Sequence, residues 1–166
     1  MRAAVLIPIV GEGAEAGILL TQRAADLKTH AGQISFPGGR CEPEGEEPVV
    51  TALRESEEEI GLAPELVDVI GFLPDHLVIS GYQVTPVVAL VKPGFTPQPD
   101  PLEVSDVFSL PLSFVFDPAN HRTRIRQLPD GEIEIYDLSY GARSVWGATA
   151  GMLMTLYRTV IEGAAE

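Results

Sequence analysis

Residues 36–62, FPGGRCEPEGEEPVVTALRESEEEIGL, constrain this chain more than any other stretch. Gly38 and Gly39 follow Pro37 and predict a sharp turn where side chains would obstruct the backbone. An acidic segment with Pro48 then opens a helix, because proline suits the first helical position, and Gly61 supplies the stop. Val49, Leu53, Ser56 and Ile60 fall on one helical face, spaced to pack against a core. Glu55, Glu58 and Glu59 stand at i, i+3 and i+4, so their carboxylates project together from another face. Three like charges so close cost free energy unless water solvates them or a cation sits among them. Oxygen donors of this kind suit Mg²⁺ or Mn²⁺. The competing reading is a solvated acidic face that binds nothing. Glu57 points away from the other three and is expected to be dispensable, while Glu42, Glu44 and Glu46 are expected to serve the loop and the helix N-terminus.

A length of 166 residues predicts a single domain, 1–166, large enough to bury most of its apolar surface. Hydrophobic content of 45% against 21% charged residues fits a globular chain and not a disordered one. A net charge of −13 argues against nucleic acid as a partner. It also sits badly with an anionic small molecule, until divalent cations are counted in the site. The lone Cys41 has no partner for an intramolecular disulfide, so nothing points to an oxidising compartment. The opening MRAAVLIPIV is too short for a membrane span and has no cleavage pattern, so it reads as a strand. A cytoplasmic protein with no membrane partner, monomeric or homodimeric, is expected.

Residues 3–10 and 17–22 are apolar runs around a glycine-rich turn, which predicts a β-hairpin. A polar loop follows, carrying Arg23, Lys28 and His30, and then a short strand over Gln33–Phe36. Residues 66–73 and 83–91 are strand candidates rich in Val, Leu and Ile, and Asp75, His76 and Ser80–Tyr82 between them are candidates for a pocket border. The proline-rich 92–101 is a surface loop. Runs 123–128 and 132–138 flank Pro129-Asp130-Gly131, a strong hairpin signal. Ser144 is the candidate N-cap of a last helix through Val160, with Trp146, Leu153, Leu156, Tyr157 and Val160 toward the core. Strands dominate beside two substantial helices, so the fold class is α+β or mixed α/β.

Residues 54–62, RESEEEIGL, resemble the second half of the Nudix box, REUxEExGU, where U is apolar. Small Ser56 stands where the box has an aliphatic, and one extra residue separates Gly39 from Glu46. Upstream, LLTQRAADLKTHAGQISFPGG over 19–39 resembles the LLTxR…HxG(E/Q)xxFPGG pattern of the coenzyme A diphosphatase branch of Nudix hydrolases. That branch carries the same extra residue. FDPANH at 116–121 and Trp146-Gly147-Ala148-Thr149 are also similar to it.

The resemblance implies the Nudix sandwich, a mixed sheet between helices. It implies metal-dependent hydrolysis of the diphosphate bond of coenzyme A or its thioesters, giving adenosine 3′,5′-bisphosphate and 4′-phosphopantetheine or its acyl form. It also implies Glu55, Glu58 and Glu59 as ligands of Mg²⁺ or Mn²⁺, with a carbonyl of Gly38–Gly39 as a further donor, and Arg54 as an orienting ion-pair partner. The general base is drawn either from the helix or from a later loop, where Glu103 is the candidate. Arg23, Lys28, His30 and Gln33 in the upstream loop, with Gly38 and Gly39, are the candidate substrate contacts, set against a reading as exposed loop residues or, for His30, a satisfied structural histidine. Two alternatives stay open: a hydrolase of another nucleoside diphosphate derivative such as ADP-ribose or NADH, and a nucleotide sensor without catalysis. An acidic helix serving a protein contact is the purely structural reading.

Overall fold

Strand β1 (Arg2–Val10) is apolar on both faces, the pattern of a strand covered from two sides. Leu6 and Ile7 are both fully buried and point to opposite sides of the sheet. The computed structural model describes residues 1–43 and 45–165, so the expectation for Glu44 lies outside the described residues. On one side Ala4 and Leu6 pack with Leu19, Val87 and Ala89 against Ala52, Ile60 and Leu62. Ala52 and Ile60 belong to helix α1 (Pro48–Ile60). On the other side Ile7, Ile18, Leu20 and Val88 pack against Leu153 and Leu156 of helix α3 (Gly147–Ala165). A mixed sheet between two helices results, which is the Nudix sandwich.

The first hairpin is corrected in its pairing. β2 (Gly17–Arg23) meets β1 only at Ile9↔Ile18 and Val10↔Gly17. Further along, that edge of β1 is taken by β4 (Gly38–Arg40), from Ala3↔Arg40 to Val5↔Gly38. The Leu6 amide donates to the Pro37 carbonyl at 2.8 Å and closes the seam. β2 therefore turns away to pair with β3 (Ile34–Ser35) and, over most of its length, with β8 (Val104–Pro111). The other edge of β1 pairs in parallel with β7 (Gln83–Val91), which carries β5 (Val67–Phe72) and the short β6 (His76–Leu77). A single turn, α2 (Leu112–Val115), follows β8. Then β9 (Arg122–Leu128) and β10 (Gly131–Asp137) form a separate two-stranded ribbon around Pro129-Asp130-Gly131.

The last helix begins at Gly147, and Ser144 is not its cap. An Asp137↔Trp146 bridge and the Leu138 amide bonded to the Val145 carbonyl at 2.8 Å keep that segment extended. Leu153 and Leu156 reach the core as expected, but Val160 is 45% exposed and Trp146 lies against the β9–β10 ribbon instead of the core. No helix among the described residues is long and apolar enough to cross a membrane.

The glycine pair is a strand and not a turn, and neither glycine has positive φ. Its requirement is close approach: a Cβ on Gly38 would run into the Ala4 carbonyl and stand 2.6 Å from Val5 Cα. Both are backbone of the central strand, which has no room to shift. Gly38→Ala is expected to lower stability by about 1–3 kcal/mol, read from the urea midpoint, as overpacked cores do. An unchanged midpoint would show that β1 and β4 are not held this tightly.

Candidate active site

Helix α1 lies across β4, and this contact decides which side chains face one another. Gly39 presses on Glu55 so closely that a Cβ there would lie 2.5 Å from the carboxylate carbon. One turn on, Glu59 is only 6% exposed. Burial, then the charges of Glu55 and Glu103, push its pKa from 4.5 up to about 8, against the opposing pull of the Gly38 amide and Arg23. Burial also raises the Glu55 pKa, with Glu58 and Glu103 adding repulsion, while Arg54 draws it down. The helix tolerates Ser56 in the core because its hydroxyl donates to the Ala52 carbonyl at 2.7 Å. At the end of α1, Gly61 adopts φ 71° and the Gly61 and Leu62 amides satisfy the Glu57 and Ser56 carbonyls.

Arg54 organises the acidic face. It donates to both oxygens of Glu46, from Nε at 2.9 Å and from Nη2 at 3.0 Å, a bidentate pair. The Arg54 bond, with help from the Glu42 amide and the Thr51 hydroxyl, holds the Glu46 carboxyl down at about 2. Arg54 Nη1 reaches Glu55 at 3.1 Å and Glu58 at 3.5 Å, and Nη2 reaches the Arg40 carbonyl at 3.3 Å. Hydrogen bonding to Glu46 in turn raises the Arg54 pKa further. Glu46 serves the loop and the helix start as expected, accepting from the Glu42 amide at 2.9 Å and the Thr51 hydroxyl at 2.7 Å. Its further partner Arg54 lies eight residues on, a separation that no helical periodicity flags.

The carboxylates are less uniform than their spacing suggests. Glu59 is buried, Glu55 is half-buried, and Glu58 and Glu57 face solvent. Among the described residues, no three His, Cys, Asp or Glu side chains stand together as a finished cation cage. Glu55 and Glu59 nonetheless fit a hard divalent cation, since burial and mutual repulsion raise both and positive charge would relieve that cost. The missing Cβ of Gly39 leaves the space beside Glu55.

The remaining candidates divide into two groups. Arg23 stands at an irregularity in the β2–β8 register, and its Nε is buried with no partner among the described residues. Its charge acts on Glu59. Glu103 is exposed, but its charge acts on both Glu59 and Glu55, and its carbonyl accepts from the Ala24 amide at 2.9 Å. Arg23, Gly38, Gly39, Glu55, Glu59 and Glu103 are thus gathered at one place. Lys28 and His30 are exposed on the loop after β2. His30 adopts φ 54°, and its Nδ1 bonds Gln33 Oε1 at 3.1 Å. Asp75 is occupied by Gln83 and Thr85, at 2.6 and 2.8 Å. The two downstream segments have packing roles: His121 Nε2 bonds the Val115 carbonyl at 2.6 Å, and the Thr149 hydroxyl donates to the Ile34 carbonyl at 3.0 Å.

The chain is similar to known proteins in sequence and in fold. The NUDIX domain family matches residues 1–133. The chain is 43% identical over 159 residues to a protein of Escherichia coli K12 described as the uncharacterized Nudix hydrolase NudL, covering 93% of this chain and 80% of that one. Among solved structures, a C. elegans Ap4A hydrolase binary complex aligns with a TM-score of 0.57 at 21% identity, covering 67% of this chain and 80% of that chain. The NUDIX domain of Shewanella oneidensis NrtR complexed with ADP ribose aligns with a TM-score of 0.51 at 20% identity, covering 69% and 75%. These two structures carry the fold alone.

The buried carboxyl gives a pH prediction. The folded chain holds the Glu59 proton more strongly than the unfolded chain does, so between pH 4.5 and about 8 the unfolded state binds fewer protons. Stability in chelator therefore declines through that window on account of this residue and levels off above it. In urea unfolding at pH 5, 7 and 8.5, Glu59→Gln is expected to remove this component and to match or exceed the parent at pH 8.5. A parent whose slope survives the substitution would place the titration elsewhere.

Proposed function

This chain belongs to the Nudix hydrolase family, and within it we propose hydrolysis of the diphosphate bond of coenzyme A or its thioesters. The products are adenosine 3′,5′-bisphosphate and 4′-phosphopantetheine or its acyl form. The observation that carries the reading is the junction of two segments. The 19–39 stretch with the coenzyme A diphosphatase pattern ends on β4, and β4 lies against Glu55 and beside Glu59. The Arg23 guanidinium, short of a partner at Nε, comes from the same stretch. One domain, 1–166, acts as a monomer or homodimer, and the lone Cys41 accords with a reducing, cytoplasmic setting.

Glu55, Glu58 and Glu59 would hold Mg²⁺ or Mn²⁺, with a Gly38–Gly39 carbonyl as a further donor. The cation supplies charge neutralisation at the diphosphate and a more acidic water. The chain's own residues do the rest. Arg54 keeps Glu55 and Glu58 oriented from its anchor on Glu46. Arg23 takes a phosphate oxygen with its guanidinium, and Lys28, His30 and Gln33 border the substrate on the outer loop. Glu103 accepts the proton of the attacking water as its oxygen joins phosphorus and the bridging oxygen departs. Glu57 takes no part.

The fold is shared with an Ap4A hydrolase and an ADP-ribose-bound domain, so other nucleoside diphosphate derivatives, ADP-ribose and NADH, form the second reading. A panel of coenzyme A, an acyl thioester, ADP-ribose and NADH, with Mg²⁺ and Mn²⁺ and products identified by mass, separates the two. Cleavage of coenzyme A to the two named products is expected. Glu59→Gln should lose turnover while folded, and Glu103→Gln should lower kcat by roughly 100- to 10,000-fold with little change in KM. Cleavage of ADP-ribose or NADH alone would move the assignment to the second reading.

A further inference from the structure

The β9–β10 ribbon divides its charges by face. Residues opposite each other share a face, so Arg122 (opposite Asp137), Arg124 (opposite Ile135) and Arg126 (opposite Ile133) lie together. Glu132 and Glu134 pair with Gln127 and Ile125 on the other face. Trp146, fastened to the ribbon base by its bridge to Asp137, lies under the arginine face. The guanidinium carbons of Arg124 and Arg126 stand 5.0 and 5.3 Å from its ring centroid. An open pocket of about 320 Å³ lies here, lined by Arg124, Ile125, Arg126, Gln127, Ile135 and Trp146.

Two features make this more than an exposed basic strand. The chain has 24 acidic residues against 11 Lys and Arg, so three arginines together on one ribbon face depart from its overall charge. Of these three only Arg124 pairs with a carboxylate, Asp137 at 3.6 Å; Arg122 and Arg126 make no ion pair among the described residues. Stacking on the indole also restricts the guanidiniums before any ligand arrives, which lowers the ordering cost of binding. Planar guanidiniums with free N–H groups match the oxygens of a phosphoryl group.

We propose that Arg124, Arg126 and Trp146 form a binding site for a phosphoryl anion, either inorganic phosphate or the phosphomonoester of a nucleotide. None of these residues belongs to the Glu55–Glu59 site, and binding needs no divalent cation. The inference therefore stands or falls apart from the diphosphatase reading.

Trp146 is the chain's one tryptophan, so its emission reports this site alone. The test is a titration of the whole chain in chelator at low salt with inorganic phosphate and, separately, adenosine 3′,5′-bisphosphate. Equilibrium dialysis with the radiolabelled anions runs in parallel, in case binding is optically silent. Saturable binding is expected, with its half-saturation raised about tenfold or more in R124Q and R126Q, whose circular dichroism stays that of the parent. R143Q, whose guanidinium contacts Asp106 and lies over Phe108, should bind as the parent does. Tighter binding of the nucleotide identifies a phosphomonoester as the source, and equal binding identifies free phosphate. No saturable binding by either method, or binding unaltered in R124Q and R126Q, would overturn the proposal.

Discussion

Two carboxylates forced against a glycine strand are the constraint on which the rest of this structure depends. Glu55 abuts Gly39, and Glu59 is buried beside the Gly38 amide. Neither position suits an anion, and both acids are pushed toward their neutral forms for that reason. The fold accepts this cost and contains it. Gly38 lets β4 close on the central strand, Ser56 and Ile60 seat the helix in the core, and Arg54 supplies the positive charge paired with Glu55. An arrangement that lowers stability and feels the charges of Arg23 and Glu103 has the physical character of a functional site.

Arg54 gives this site its order, but it does not neutralise it. Its two strongest contacts go to Glu46, outside the helix, and its remaining donor is shared between Glu55 and Glu58. The guanidinium is anchored at one end so that it can orient at the other. Glu59 lies beyond its reach and keeps the largest upward shift. The most deeply buried acid is therefore the one with the most to gain from an added cation.

Much of this was legible in the chain itself. The helix bounds at Pro48 and Gly61, the strand over 83–91, the mixed class and the ribbon around Pro129-Asp130-Gly131 follow from local spacing and turn residues. Pairing was not legible. The alternation of β1 and β2 is the same whether they zip together or part after two pairs, and only the arrival of β4 on the β1 edge decides it. The glycines were singled out correctly as positions where side chains would obstruct, but in a sharp turn that they do not make, since close approach of another strand leaves no local mark. The tie of Glu46 to Arg54 and the place of Trp146 under the ribbon were not legible for a related reason. Each finds its partners through tertiary geometry, Glu46 on Arg54 and Trp146 beneath Arg124 and Arg126.

The central claim is that the strained Glu55–Glu59 pair exists to hold a divalent cation. Calorimetric titration of the folded chain with Mg²⁺ and with Mn²⁺, repeated on the E55Q/E59Q double variant, measures it most directly. The account predicts saturable binding that disappears in the double variant while the variant stays folded. Binding of equal strength in both proteins would contradict it.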